Sequence, residues 1–257
     1  MQSSNTNDQR NLLTDFNRDG YIAINPLLAS EEMAALNLEI ERFIRDVVPE
    51  MPLAKVYYEN KSDKSSLKQI QQMFEFDPYF EDLMLNGPAR KIAEKVLQDE
   101  VVPINMQYFN KPAGIGKATP PHQDGFYFML EPCRALTMWM ALDDVDEENG
   151  CVRYVRGSHT RGMRPHGRTE TLGFSQGITD FGQALDARDE VACPARPGDL
   201  LAHHALTIHR ADANASATRT RRALGFIYYG ESALENLAAH EAYQAKLTTE
   251  MELAGKI

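Results

Sequence analysis

The sequence predicts a mainly β fold with flanking helices, and two kinds of hydrophobic periodicity support this prediction. From residue 101 onward, short apolar segments are bounded by turn residues, and residues 135–142 alternate side chains with period two. The first hundred residues instead repeat apolar side chains at helical spacing. Short strands behind a helical segment indicate a β-sandwich or barrel with helices packed on one face.

Three helices are expected in the N-terminal part. The first begins at Ser30, predicted as its N-cap, with Glu31 and Glu32 in the first turn and an apolar stripe over residues 33–47. The second covers about 78–84, and the third follows residues 87–88. The polar residues 1–8 are expected to be frayed.

The remaining chain predicts strands at 102–109, 136–142, 151–155, 199–203 and 223–229. The polar, glycine-containing segment 161–188 is interpreted as a long insertion of the kind that often carries function. We therefore expect a single domain over 1–257. It has a helical part over about 1–100, a β core over about 101–230 and a helical C-terminal tail over 231–257.

Charge and composition exclude several function classes. The net charge of −10, from 27 basic and 37 acidic residues, disfavours nucleic acid and anionic membranes as partners, although a local basic pocket remains compatible with it. No apolar segment approaches the roughly 20 residues of a membrane span. Three cysteines without C-x-x-C spacing disfavour a disulfide framework and a thiolate zinc site. With no signal-peptide pattern, a cytoplasmic protein is expected; the oligomeric state stays open.

His122-Gln123-Asp124 is the most informative motif. On a strand, residues i and i+2 point to the same side, so His122 and Asp124 can reach one metal ion. Two imidazoles and a carboxylate hold iron(II) and leave coordination positions open. The distal histidine must come from the later segment, where His203, His204 and His209 compete. A zinc site for hydrolysis is the alternative interpretation.

The surrounding motifs resemble the phytanoyl-CoA dioxygenase family of iron(II)/2-oxoglutarate-dependent oxygenases, from about residue 16 to residue 229. They are H-Q-D at 122–124, E-N-G-C at 148–151, G-S-H at 157–159, P-G-D at 197–199, and L-T-I-H…N…R-R-A-L at 206–224. The resemblance implies a double-stranded β-helix (jelly-roll, cupin-like) core. It also implies His209 as the third metal ligand, with His204 as the competing assignment.

The same resemblance implies iron(II), 2-oxoglutarate and dioxygen as cofactors, with ascorbate as a candidate activator. Arg221 would anchor the far carboxylate of 2-oxoglutarate, and Arg222 would face the opposite side of the strand. Further contacts would come from Trp139, Gln107 and Lys68. The implied reaction hydroxylates a C–H bond while 2-oxoglutarate becomes succinate and carbon dioxide. The presence of the Asp124 carboxylate favours hydroxylation over halogenation.

The substrate prediction depends on residues 163–178, which resemble a bacterial branch that hydroxylates 2-aminoethylphosphonate. A phosphonate needs cationic donors, so the small-molecule partner would meet His166, Arg164, Arg156 and His204. His159 is interpreted as a turn residue, and His240 as solvated. The alternatives are another small acid, an amine or an acyl-CoA as substrate, a zinc hydrolase, and an inert binding protein.

Overall fold

The computed structural model describes residues 4–169, 171, 176–238, 240–242, 245 and 248–249. Its α-helices are α1 (Ser4–Asp19), α2 (Ser30–Asp46), α3 (Pro78–Asn86), α4 (Pro88–Leu97), α5 (Gly125–Phe128) and α6 (Ala184–Asp189). Short 3₁₀ turns cover Val48–Glu50, Leu53–Lys55, Lys64–Ser66, Met73–Glu75 and Ser158–Arg161.

The strands follow the same chain order. They are β1 (Tyr21–Ile24), β2 (Val56–Tyr58), β3 (Leu67–Ile70), β4 (Val101–Lys111), β5 (Thr119–His122), β6 (Leu130–Glu131), β7 (Ala135–Ala141), β8 (Val152–Val155), β9 (His166–Arg168), β10 (Gln176–Ile178), β11 (Glu190–Cys193), β12 (Leu200–His204), β13 (His209–Ala211), β14 (Arg221–Gly230) and β15 (Leu234–Glu235).

Two antiparallel sheets form the core of the molecule. The larger has the order β1-β12-β7-β14-β4-β3-β2, and the smaller has the order β11-β8-β13-β5. Their facing sides share one apolar cluster, in which Trp139 and Leu201 of the larger sheet pack with Val152 and Tyr154 of the smaller. This arrangement confirms the predicted jelly-roll core.

The helices cover the other face of the larger sheet. Phe43 of α2 and Phe80 of α3 belong to the same buried cluster as Met140 of β7 and Phe226 of β14. Period-two alternation therefore divides β7 between two environments, since Met140 faces the helices and its neighbour Trp139 faces the smaller sheet. No helix of the described residues is long and apolar enough to cross a membrane.

The predicted N-terminal boundaries need correction. Ser30 is the first residue of α2 and not its N-cap, because Ala29 occupies that position and its N–H donates to Glu32 Oε2 at 2.8 Å. The glutamate side chain thus accepts from the N–H of the N-cap residue, and no side chain caps the first N–H groups of the helix from position 29. The frayed terminus expected over 1–8 is also wrong in part, since α1 begins at Ser4.

The predicted insertion and tail are more ordered than the sequence suggests. Segment 161–188 contains β9, its antiparallel partner β10, and α6. The tail begins with β15, which pairs with β6. Much of the helix predicted over 231–257 lies outside the described residues.

The α2 stripe provides a stability prediction. Phe43 is 0% exposed and packs edge-on against Phe80, with ring centroids 5.1 Å apart, so F43A should destabilise the protein by about 3–5 kcal/mol. Leu38, on the same helix, is 68% exposed, and L38A should change stability by less than about 0.5 kcal/mol. Urea unfolding curves measure both values. Equal effects would contradict the assigned faces of α2.

Candidate metal centre and co-substrate pocket

The predicted triad comes together between the two sheets. His122 at the end of β5 and His209 at the start of β13 are direct cross-strand partners, and Asp124 follows β5 by two residues. Asp124 Oδ1 lies 3.4 Å from His122 Nε2 and 3.7 Å from His209 Nε2. One ligand atom from each residue lies within 4.8 Å of the other two, so these residues can hold a single metal ion.

Backbone carbonyls orient both imidazoles. The Nδ1 of His122 lies 2.8 Å from Pro120 O, and the Nδ1 of His209 lies 3.0 Å from Thr207 O. Each Nδ1–H therefore donates to a carbonyl, which leaves the Nε2 lone pair for a metal. Burial, followed by the neighbouring His122 and His203, holds the pKa of His209 well below its usual value and keeps its ring neutral.

Asp124 is ionised. Burial by itself would raise its pKa, but the surrounding imidazoles of His209, His122 and His203 outweigh burial and bring the pKa well below its usual value. The site thus combines two imidazoles with one carboxylate, the donor set that suits iron(II). Iron bound there would supply the activation of dioxygen, while these side chains would supply ligands and orientation.

A cavity of about 870 Å³ opens from the triad between the sheets. Arg221 lies on its wall, 5% exposed, with its guanidinium carbon 4.6 Å from the centre of the Trp139 ring. Its Nε–H donates to Gly150 O at 3.0 Å, and the described residues give it no carboxylate partner. Burial lowers the pKa of Arg221 to about 10, so it remains charged at neutral pH.

Lys111 is a second buried basic side chain on the same wall. It is the cross-strand partner of Arg221, and its Nζ donates to the carbonyls of Asp212 at 2.6 Å and Ala211 at 3.3 Å. Within the described part of the chain, no carboxylate forms an ion pair with it. A charged Lys111 buried beside Arg221 without a fixed counter-charge is costly. A dicarboxylate such as 2-oxoglutarate would balance Arg221 and favour the charged form of Lys111, so the residues present fit this co-substrate.

The other predicted pocket residues also line the cavity. Lys68 lies 3.1 Å from Glu59 in a buried ion pair, so its charge is already balanced. Gln107 accepts a hydrogen bond of 2.7 Å from Gln69 Nε2. By contrast, Arg222 faces away from the cavity and pairs with Asp143 at 2.7 Å, as the alternation on β14 predicts.

None of the four predicted substrate residues is in the cavity lining. His166 uses both ring nitrogens, one on Arg164 O at 2.8 Å and one on the Gln123 N–H at 3.2 Å, and its ring stacks on Phe126. Arg164 is held by Asp180 and Asp186. Local partners therefore occupy both side chains.

The other two predicted substrate residues also lie away from this cavity. Arg156 is exposed and absent from the cavity wall. His204 lies on the far side of β12, where its Nδ1 accepts from Leu206 N–H at 3.0 Å and its ring neighbours Phe16 and His159. The alternation of β12 turns His203, not His204, toward the triad.

Other residues of the site were missed or misplaced by the sequence analysis. His203 and Thr137 both contact Asp124, and Lys111 lines the cavity. His240, predicted to be solvated, lines the cavity and contacts Glu235. The H-H pair at 203–204 indicates that one of the two imidazoles faces the metal triad. Only the register of β12 with its neighbouring strands decides which one.

Lys111 generates a pH prediction. Burial, then the charges of Arg221 and Lys68, lower its pKa to about 6 against the opposing attraction of Asp212 and Glu59. Unfolded lysine titrates near 10.5, so between these values the unfolded state binds more protons and stability rises with pH. The stability of K111M relative to wild type should thus be highest near pH 6 and decline toward pH 10. Denaturant unfolding at several pH values measures this difference, and a constant difference would contradict the burial of an uncompensated charge.

Comparisons with known proteins identify the family of this chain. The phytanoyl-CoA dioxygenase (PhyH) family model matches residues 16–223. A phytanoyl-CoA dioxygenase domain-containing protein 1 from Danio rerio is 27% identical over 244 residues, covering 78% of this chain and 83% of the relative.

Solved structures share the fold. The epimerase SnoN, in complex with Fe3+, alpha ketoglutarate and nogalamycin RO, has a TM-score of 0.73 at 22% identity, over 90% of this chain and 86% of SnoN. EctD from S. alaskensis, with 2-oxoglutarate and 5-hydroxyectoine, has a TM-score of 0.70 at 20% identity, over 86% of this chain and 75% of EctD. With a family match over most of its length, the chain belongs to the phytanoyl-CoA dioxygenase family of iron- and 2-oxoglutarate-dependent oxygenases.

Proposed function

We propose that this oxygenase hydroxylates a C–H bond of a small anionic molecule, with 2-aminoethylphosphonate as the first candidate. The charge of the cavity carries the proposal. Its described lining contains two carboxylates, Glu59 and Asp124, and seven cationic side chains: Lys55, Lys68, Lys111, Lys117, Arg168, Arg210 and Arg221. The chain as a whole has a net charge of −10, whereas the lining of this cavity has more basic than acidic side chains. Such a reversal concentrates anions at the site.

The cations divide between two ligands. Arg221 and Lys111 lie deep in the cavity and suit the dicarboxylate co-substrate, while Lys68 and Arg210 are balanced by Glu59 and Glu190. This leaves Lys55 and Lys117 on the cavity wall for a second anion. These two replace Arg156, Arg164 and His166 as the proposed phosphonate contacts.

The chain's side chains then have separable tasks. His122, Asp124 and His209 would hold iron, Arg221 orients the far carboxylate, and Trp139 covers the guanidinium and limits its contact with water. Because the activated oxygen is supplied by the cofactors, these roles require no side chain to act as a general base. A cavity of about 870 Å³ accommodates a co-substrate and a small substrate together.

We also propose that the chain forms one domain and works in the cytoplasm. The buried cluster that joins the N-terminal helices to the larger sheet supports the first statement. The free thiols of Cys133, Cys151 and Cys193 support the second, since reducing compartments preserve them.

Succinate formation tests the substrate. Protein loaded anaerobically with iron(II) is mixed with 2-oxoglutarate and oxygen, with and without 2-aminoethylphosphonate. Strong stimulation by the phosphonate, with a hydroxylated product, is the expected result. Slow succinate formation without stimulation would reject this phosphonate and move the search to other small acids and amines, whereas no succinate at all would contradict the oxygenase assignment of this chain.

The Arg221 anchor generates a second prediction. Removing a buried charge contact costs about 2–5 kcal/mol, so R221A should raise the KM for 2-oxoglutarate by at least about 30-fold. R222A is the matched control, because its side chain lies on the opposite face of β14 and pairs with Asp143. Its KM should stay within about twofold of wild type. An unchanged KM in R221A would remove Arg221 from the co-substrate site.

A further inference from the structure

A chain of hydrogen bonds connects the smaller sheet to the metal-ligand carboxylate through a third histidine. His203 is 2% exposed, and its Nε2 lies 3.1 Å from Asp124 Oδ2, while its Nδ1 lies 2.9 Å from the hydroxyl of Tyr154. Thr137, the direct cross-strand partner of His203, donates its hydroxyl to the same Oδ2 at 2.5 Å. Two donors from the larger sheet therefore converge on one oxygen of Asp124.

The network determines which nitrogen of His203 carries the proton. An ionised Asp124 oxygen can only accept, so His203 Nε2 must be the donor and its Nδ1 accepts from the Tyr154 hydroxyl. Tyr154 is 0% exposed and stacks on Tyr21, with ring centroids 4.5 Å apart, which fixes the position of its hydroxyl. With Nε2 protonated and Nδ1 occupied, His203 offers no lone pair to a metal.

We propose that His203 is a positioning residue that keeps Asp124 a monodentate ligand. Because Oδ2 receives hydrogen bonds from His203 and Thr137, Oδ1 is the oxygen left facing the Nε2 atoms of His122 and His209. A carboxylate that bound through both oxygens would occupy one of the positions that a facial triad leaves open. This inference rests on the metal assignment of the triad.

Metal affinity tests the inference without turnover. H203F removes the donor and should weaken cobalt(II) binding by about 10- to 100-fold, the usual effect of losing a hydrogen bond to a metal ligand. H203Q, whose amide N–H can reach the same oxygen, should restore affinity to within about threefold. H204F is the matched control, since its ring lies on the opposite face of β12 and should leave affinity unchanged.

A second variant keeps the test decisive if H203F does not fold. T137V keeps the shape of the side chain and removes the other donor to Asp124 Oδ2, so cobalt(II) affinity should again fall and the visible cobalt spectrum should change with coordination number. Wild-type affinity and spectrum in both H203F and T137V would overturn the inference. Failure of the wild-type protein itself to bind cobalt(II) would instead overturn the metal site, so the two failures are distinguishable.

Discussion

The structure depends on burying one carboxylate and two basic side chains in one cavity, with no ion-pair partner for either basic group among the described residues. Asp124 is surrounded by imidazoles and a hydroxyl, while Arg221 and Lys111 donate only to backbone carbonyls among the described residues. Buried charges of this kind destabilise a fold unless ligands neutralise them. The large apolar core on the other face of the larger sheet stabilises the fold and offsets the cost of burying these groups.

The two sheets supply different parts of the site. The smaller sheet supplies His122 and His209 from adjacent strands, and the larger sheet supplies Arg221, Lys111 and Trp139 from β14, β4 and β7. Asp124 belongs to the smaller-sheet side of the triad but receives its hydrogen bonds from His203 and Thr137 of the larger sheet. The orientation of this carboxylate therefore depends on how the two sheets are placed relative to each other.

The position of a basic residue in the sequence does not by itself predict whether it lines the cavity. The basic residues of segment 161–188 were natural candidates for an anionic substrate, but Arg164 is held by Asp180 and Asp186, and both nitrogens of His166 have local partners. A cationic side chain in the right segment recognises an anion only if the fold leaves it uncompensated. In this protein the cavity cations proposed for the substrate come instead from segments distant in sequence, namely Lys55 and Lys117.

The sequence by itself determined the features that depend on local periodicity and motif spacing. Alternation separated Arg221 from Arg222, and the family motifs identified His209 among its competitors. The expected strand alternation between His122 and Asp124 is wrong, since β5 ends at His122 and Asp124 has a helical backbone before α5. Tertiary structure alone decided what depends on register between strands: the pairing of Lys111 with Arg221, and the choice of His203 over His204 as the ring that reaches Asp124. A shift of one residue in the pairing of β12 would exchange those two rings, and the sequence of one strand carries no record of its partner's register.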